Sequence, residues 1–78
     1  MQFPALKPQQ LLAVLQREPL AYRVIRQKGS HRRLSSRNGH PDIGFSFHSG
    51  TTIPPGLVKK VLVGDVGLSE DEARKLLR

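Results

Sequence analysis

Two glycine turns constrain the middle of this chain. Gly29-Ser30 and Asn38-Gly39 interrupt a strand-forming stretch that begins at Tyr22 and runs to Phe47. Tyr22, Val24 and Ile25 favour extended backbone, with charges falling between them. His31–Ser36 reads as a second strand, and Asn38-Gly39 after it is a strong hairpin signal. The third strand has the clearest alternation: Ile43, Phe45 and Phe47 interleave with Gly44, Ser46 and His48. Strands joined in sequence by short turns form an antiparallel meander. The alternation gives that sheet one apolar face, which other elements must cover.

Helical patterns flank the sheet. Pro8 is tolerated in a first helical turn. Leu11, Leu12 and Leu15 then share a helical face up to Pro19, so the spacing predicts a helix over about residues 8–17. Pro54-Pro55-Gly56 opens a second helix, with Leu57, Val58, Val61 and Leu62 as its apolar stripe and Gly64 or Gly67 as its stop. Ser69 begins a short last helix, with Glu72 completing a capping box. Its acidic start and basic end match the helix dipole, which gives Glu70, Asp71 and Glu72 a structural explanation. The expectation is a single α+β domain over residues 1–78. Its order is α-β-β-β-α, with a three-stranded antiparallel sheet, helices on one face and a short extra C-terminal helix.

Parity assigns the middle strand. Leu34 is its one large apolar residue, so Arg32 and Ser36 share the core face, and His31, Arg33 and Ser35 take the other. A bulge near Gly29 would upset this count.

The charge distribution narrows the partners. The chain has 78 residues and a formal net charge of +7. Six of its 13 Lys and Arg residues (Arg23, Arg26, Lys28, Arg32, Arg33 and Arg37) lie between Pro19 and Pro41, where there is no acid. Such asymmetry favours a polyanion, either nucleic acid or an acidic protein. With no cysteine, disulfides and thiolate zinc sites are excluded. His40 and His48 fit no standard metal-ligand spacing, so neither metal nor cofactor is expected. No apolar run approaches the length of a membrane span and no signal peptide is evident, which makes the cytoplasm the default compartment.

Within the basic stretch, Arg26-Gln27-Lys28-Gly29-Ser30-His31-Arg32-Arg33 sets an imidazole among permanent cations. RNA carries its own nucleophile, the 2′-hydroxyl. A histidine can move one of the protons in its cleavage, and Arg or Lys can stabilise the charge that develops on phosphorus. His48 and Tyr22 are candidates for the second proton-transfer group. His40, after its turn, is expected to be merely exposed. Read from the residues alone, a non-catalytic basic RNA-binding module of the same shape stands beside the nuclease, as does a domain that docks an acidic protein.

RQKGSHRRL, a strand ending FSFH and then TTIPPGLVKKVL resemble the HicA toxins, or YcfA-like proteins, of toxin–antitoxin pairs. The resemblance runs from about Tyr22 to Leu62. It implies a fold similar to the double-stranded RNA-binding domain and a metal-independent endoribonuclease that cleaves mRNA. It further implies a HicB antitoxin as partner, and His31 as the catalytic residue of a Gly29-Ser30-His31 motif. Lys28, Gly29, Ser30, Arg32 and Arg33 are then the RNA-binding set. Two departures stand out. Family members often carry Gly-Phe before the first strand, where this chain has Pro19-Leu20-Ala21-Tyr22. The C-terminal GLSEDEARKLLR is longer than in many short members.

Overall fold

The computed structural model describes residues 3–48 and 50–77. Helix α1 (Pro8–Gln16) leads into strands β1 (Tyr22–Lys28), β2 (His31–Ser36) and β3 (Ile43–Phe45). Helix α2 (Pro55–Lys59) follows and continues directly as a π-helical segment, Lys60–Asp65, before α3 (Glu70–Leu76). The α-β-β-β-α order and the open antiparallel sheet, β1-β2-β3, are those read from the sequence.

The core lies on one side of this sheet. Tyr22, Leu34, Ile43 and Phe45 from the strands meet Leu11 and Leu15 of α1, Val58 of α2, Val61 and Leu62 of the π segment, and Ala73 of α3. Each of these is nearly or completely removed from water. Among the described residues, no helix or strand covers the opposite side of the sheet, where His31 and Arg33 are exposed. Leu34 faces the core as its parity requires.

Local chemistry fixes the helix ends. Ser69 Oγ accepts from the Glu72 N–H at 3.1 Å, and the Ser69 N–H donates to the Glu72 carboxylate at 3.0 Å. These bonds hold the Glu72 carboxyl below its ordinary value of 4.5. Gly67, at φ +91°, turns the chain out of the π segment, and the Leu68 N–H then closes on the Leu62 carbonyl at 3.1 Å. The stop is therefore Gly67, while Gly64 lies inside the π segment.

Three local details differ from expectation. The sheet's irregularity is a bulge at Ile25, between Val24 and Arg26, and not near Gly29. The β2–β3 connection spans residues 37–42 rather than closing tightly at Asn38-Gly39. Side-chain bonds hold it open: Asn38 Nδ2 donates to Glu18 and to the Pro19 carbonyl, and the Tyr22 hydroxyl donates to the Pro41 carbonyl at 2.7 Å. His40 is half-buried, its ring 6.3 Å from that of Tyr22. The chain enters β1 through Ala21 at φ +51°, a left-handed conformation that glycine adopts without cost.

Candidate functional site

The site begins with the β1–β2 turn. Lys28 and His31 are directly paired across the strands, so the loop between them has two residues, Gly29 and Ser30. Gly29 has φ +61°, whereas Ser30 has no positive φ. A positive φ at the first central position alone is the pattern of a type II′ hairpin turn, which suits the twist of the paired strands. This turn sets the register, and the register sets the face.

Directly paired residues share a sheet face, with Cβ atoms about 5 Å apart. His31 therefore stands beside Lys28, and Arg33 beside Arg26. Arg33 also pairs with Gly44 of β3. The glycine has no side chain, so the surface dips there. The result is a shallow depression of about 330 Å³ on the open face, lined by Arg26, Lys28, His31, Arg33, Gly44 and Ser46 among others. His31 is exposed within it.

Electrostatically the depression is one-sided. Opposed like charges destabilise a sheet, and Arg26 against Arg33 is such a pair. The salt bridges among the described residues use Lys59, Lys60 and Arg74 with Asp65, Glu70 and Asp71, and none involves the basic sheet residues. A bound anion would relieve this repulsion. An imidazole is also the side chain best able to exchange a proton near neutrality.

The residues singled out from sequence divide between two faces. Lys28, His31 and Arg33 come together on the open face. Arg32 points to the core side, half-buried, opposite Gln27 and Phe45. Gly29 and Ser30 line a second groove with Arg32, Phe47, His48, Pro8, Gln9 and Leu12. Arg32 lines both depressions.

The structure places Tyr22 far from His31 and sets His48 in the neighbouring groove. His48 lines the second groove, whereas His31 lines the first. Tyr22 sits at the far end of β1 from Lys28, about 20 Å away at roughly 3.3 Å per residue. Its hydroxyl is bonded to Pro41, and burial, followed by the charges of Asp42 and Asp65, pushes its pKa above the ordinary 10.0. Sequence reasoning did not place Arg26 in the site. A two-residue turn at Gly29-Ser30 would have shown it, since Lys28 opposite His31 puts residue 26 opposite residue 33.

No curated protein and no solved structure matches the chain. The family model described as HicA toxin of bacterial toxin-antitoxin matches residues 8–68. That span includes α1, the whole sheet with its cationic depression, α2 and the π segment. With most of its length matched in this way, the chain belongs to the HicA toxin family.

Proposed function

We propose that this HicA-family toxin is an endoribonuclease that cleaves mRNA on the open face of its sheet, with His31 as the catalytic residue. The observation that carries the reading is His31 exposed directly opposite Lys28, with Arg26 and Arg33 as the next pair along the same face. A phosphodiester seated in the depression meets the imidazole and the open-face cations Arg26, Lys28 and Arg33. The 2′-oxygen of the preceding ribose attacks phosphorus as the bond to the 5′-oxygen breaks, leaving a 2′,3′-cyclic phosphate and a free 5′-hydroxyl. His31 exchanges one of the two protons that must move, taking that of the 2′-hydroxyl or supplying that of the leaving oxygen. Water carries the other. The guanidinium groups of Arg26 and Arg33 and the Lys28 ammonium stabilise the doubly charged phosphorane. None of these steps calls on a metal.

The proposed partner is a HicB antitoxin that covers this face with acidic groups or backbone dipoles of its own. The same surface then serves substrate and inhibitor, and binding of one excludes the other.

The test compares the parent protein with His31→Ala on a defined RNA in the presence of EDTA, with circular dichroism to show that both are folded. Loss of a general acid–base group lowers the rate by about 10²–10⁴. A variant that cuts as fast as the parent removes His31 from the chemistry. RNA binding by the parent without any product makes the chain a non-catalytic RNA-binding module instead.

A further inference from the structure

The second groove differs in character from the cationic depression. Its volume is about 460 Å³, within the range of small-ligand sites. Pro8, Leu12 and Phe47 give it apolar walls, and each is buried or half-buried. Gln9 and His48, both exposed, stand among these walls with half-buried Ser30 and Arg32. Phe47 is propped edge-on against Phe45, with ring centroids 5.2 Å apart and planes at 78°. Phe45 itself is 1% exposed. The Phe47 ring is therefore held by the core rather than free to turn away.

A nucleobase has complementary chemistry: flat apolar faces and a polar edge. Stacking on an aromatic side chain and hydrogen bonding along that edge are how single-stranded RNA is read. The Gln9 amide offers both a donor and an acceptor, and so does the neutral His48 ring. A small apolar molecule would use the walls and leave this rim idle. The connection between the two depressions favours the base further. Arg32 lines both of them, so a nucleic-acid chain that crosses from the open face around the β1–β2 turn passes this residue.

We infer that the groove between α1, the Gly29-Ser30 turn and Phe47-His48 binds one nucleobase of single-stranded RNA, next to the phosphate held at His31. Phe47 and His48 supply stacking surfaces, Gln9 reads the edge of the base, and Arg32 holds the phosphate that joins the two sites. Specificity for the nucleotide flanking the break resides here and not in the cationic depression. The inference rests on the nuclease reading for the placement of the scissile phosphate at His31.

The test has two arms. In the first, a short RNA carrying a single 5-iodouridine is irradiated with the folded His31→Ala protein, and the crosslinked peptide is sequenced. The expected attachment is at Phe47 or His48. Attachment confined to other residues, or none, overturns the inference. In the second, the parent, Gln9→Ala and His48→Ala digest a randomised single-stranded RNA pool, and the new ends are sequenced. The parent is expected to prefer certain bases at one position beside the break, and each variant to flatten that preference by about tenfold, within the range for loss of a hydrogen-bonded contact to a base edge. Variants that retain the parent's preference at every position overturn the inference even if His31→Ala abolishes cleavage. A crosslink at Phe47 or His48 without cleavage by the parent leaves the base site standing and refutes the nuclease.

Discussion

Gly29 gives the most direct test of how the site is held. Its φ of +61° lies where an L side chain is strained, and a Cβ added there meets nothing within 4 Å. Any cost of Gly29→Ala is thus conformational rather than steric against a neighbour. Forcing an L residue into this region costs about 1–3 kcal/mol. Restricting the unfolded chain returns about 0.4–1 kcal/mol. The net expectation is a loss of about 0.5–2 kcal/mol, and a fall in the urea midpoint of about 0.2–2 M. D-Alanine at the same position reverses the sign. It restricts the unfolded chain equally but is at ease at positive φ, so it should stabilise by about 0.4–1 kcal/mol. A 78-residue chain is within reach of total chemical synthesis, so both diastereomers can be made. Urea unfolding followed by circular dichroism compares them. RNA affinity, measured by fluorescence anisotropy, should fall in the L-alanine protein and persist in the D-alanine protein, because the same turn holds Lys28 opposite His31. Equal midpoints for the two diastereomers would refute the argument that a left-handed glycine sets the register of the site.

Other consequences follow from named contacts. Lys28→Ala removes one phosphate-neutralising charge, so the plot of log affinity against log salt for single-stranded RNA should flatten by about 0.7; an unchanged slope would place Lys28 away from the phosphates. Tyr22→Phe deletes the donor to Pro41 and should cost about 1 kcal/mol. The parent's raised tyrosine pKa favours the protonated hydroxyl in the folded state, so its stabilising contribution is complete below pH 10.0 and is lost as pH rises through the higher folded value. Thermal melts across that alkaline range should show this loss in the parent and not in Tyr22→Phe. Ala21→Gly and Ala73→Gly each delete one buried methyl, worth about 0.8 kcal/mol. Ala73 is helical, so its replacement should cost about 1.3–1.8 kcal/mol in all. Ala21, at φ +51°, gains relief from strain and should come out near neutral by urea unfolding.

Ala21 also explains one departure from the family pattern. Glycine before an aromatic residue at the start of β1 suits a left-handed backbone, and Ala21, just before Tyr22, has such a backbone here. The aromatic ring retains its core position, since Tyr22 is 3% exposed. The chain thus takes this conformation at an alanine, where glycine is better suited. The sequence shows only an alanine at this place, and the left-handed backbone becomes visible in φ.

Much of the site was legible because short turns and strict alternation leave few choices. Leu34 alone was enough to orient β2, and Gly29-Ser30 was enough to end β1. The split of Arg32 from His31 followed from the same parity, although grouping Arg32 with Lys28 and Arg33 in one RNA-binding set obscured it. The groove around Phe47 was less accessible. It is built from α1, a turn and the segment after β3, which approach one another only through tertiary packing.

The bulge at Ile25 marks the deeper limit, because two demands on β1 conflict there. The two-residue turn pairs residue 28 with residue 31, which places Lys28 and Arg26 on the open face with His31 and Arg33. Regular alternation from that end would carry Ile25 to the core face opposite Leu34, turn Arg23 inward and send Tyr22 out to solvent. The core instead holds Tyr22, paired with Ser36, and leaves Arg23 exposed. An extra residue in the strand resolves the conflict by inverting its parity midway. Ile25 is that residue, and it is 51% exposed as a consequence. The bulge therefore lets one strand contribute an aromatic residue to the core at its start and cations to the open face at its end. The two ends of YRVIRQK follow opposite parities, and the interruption becomes evident only once β2 supplies a fixed register on both sides.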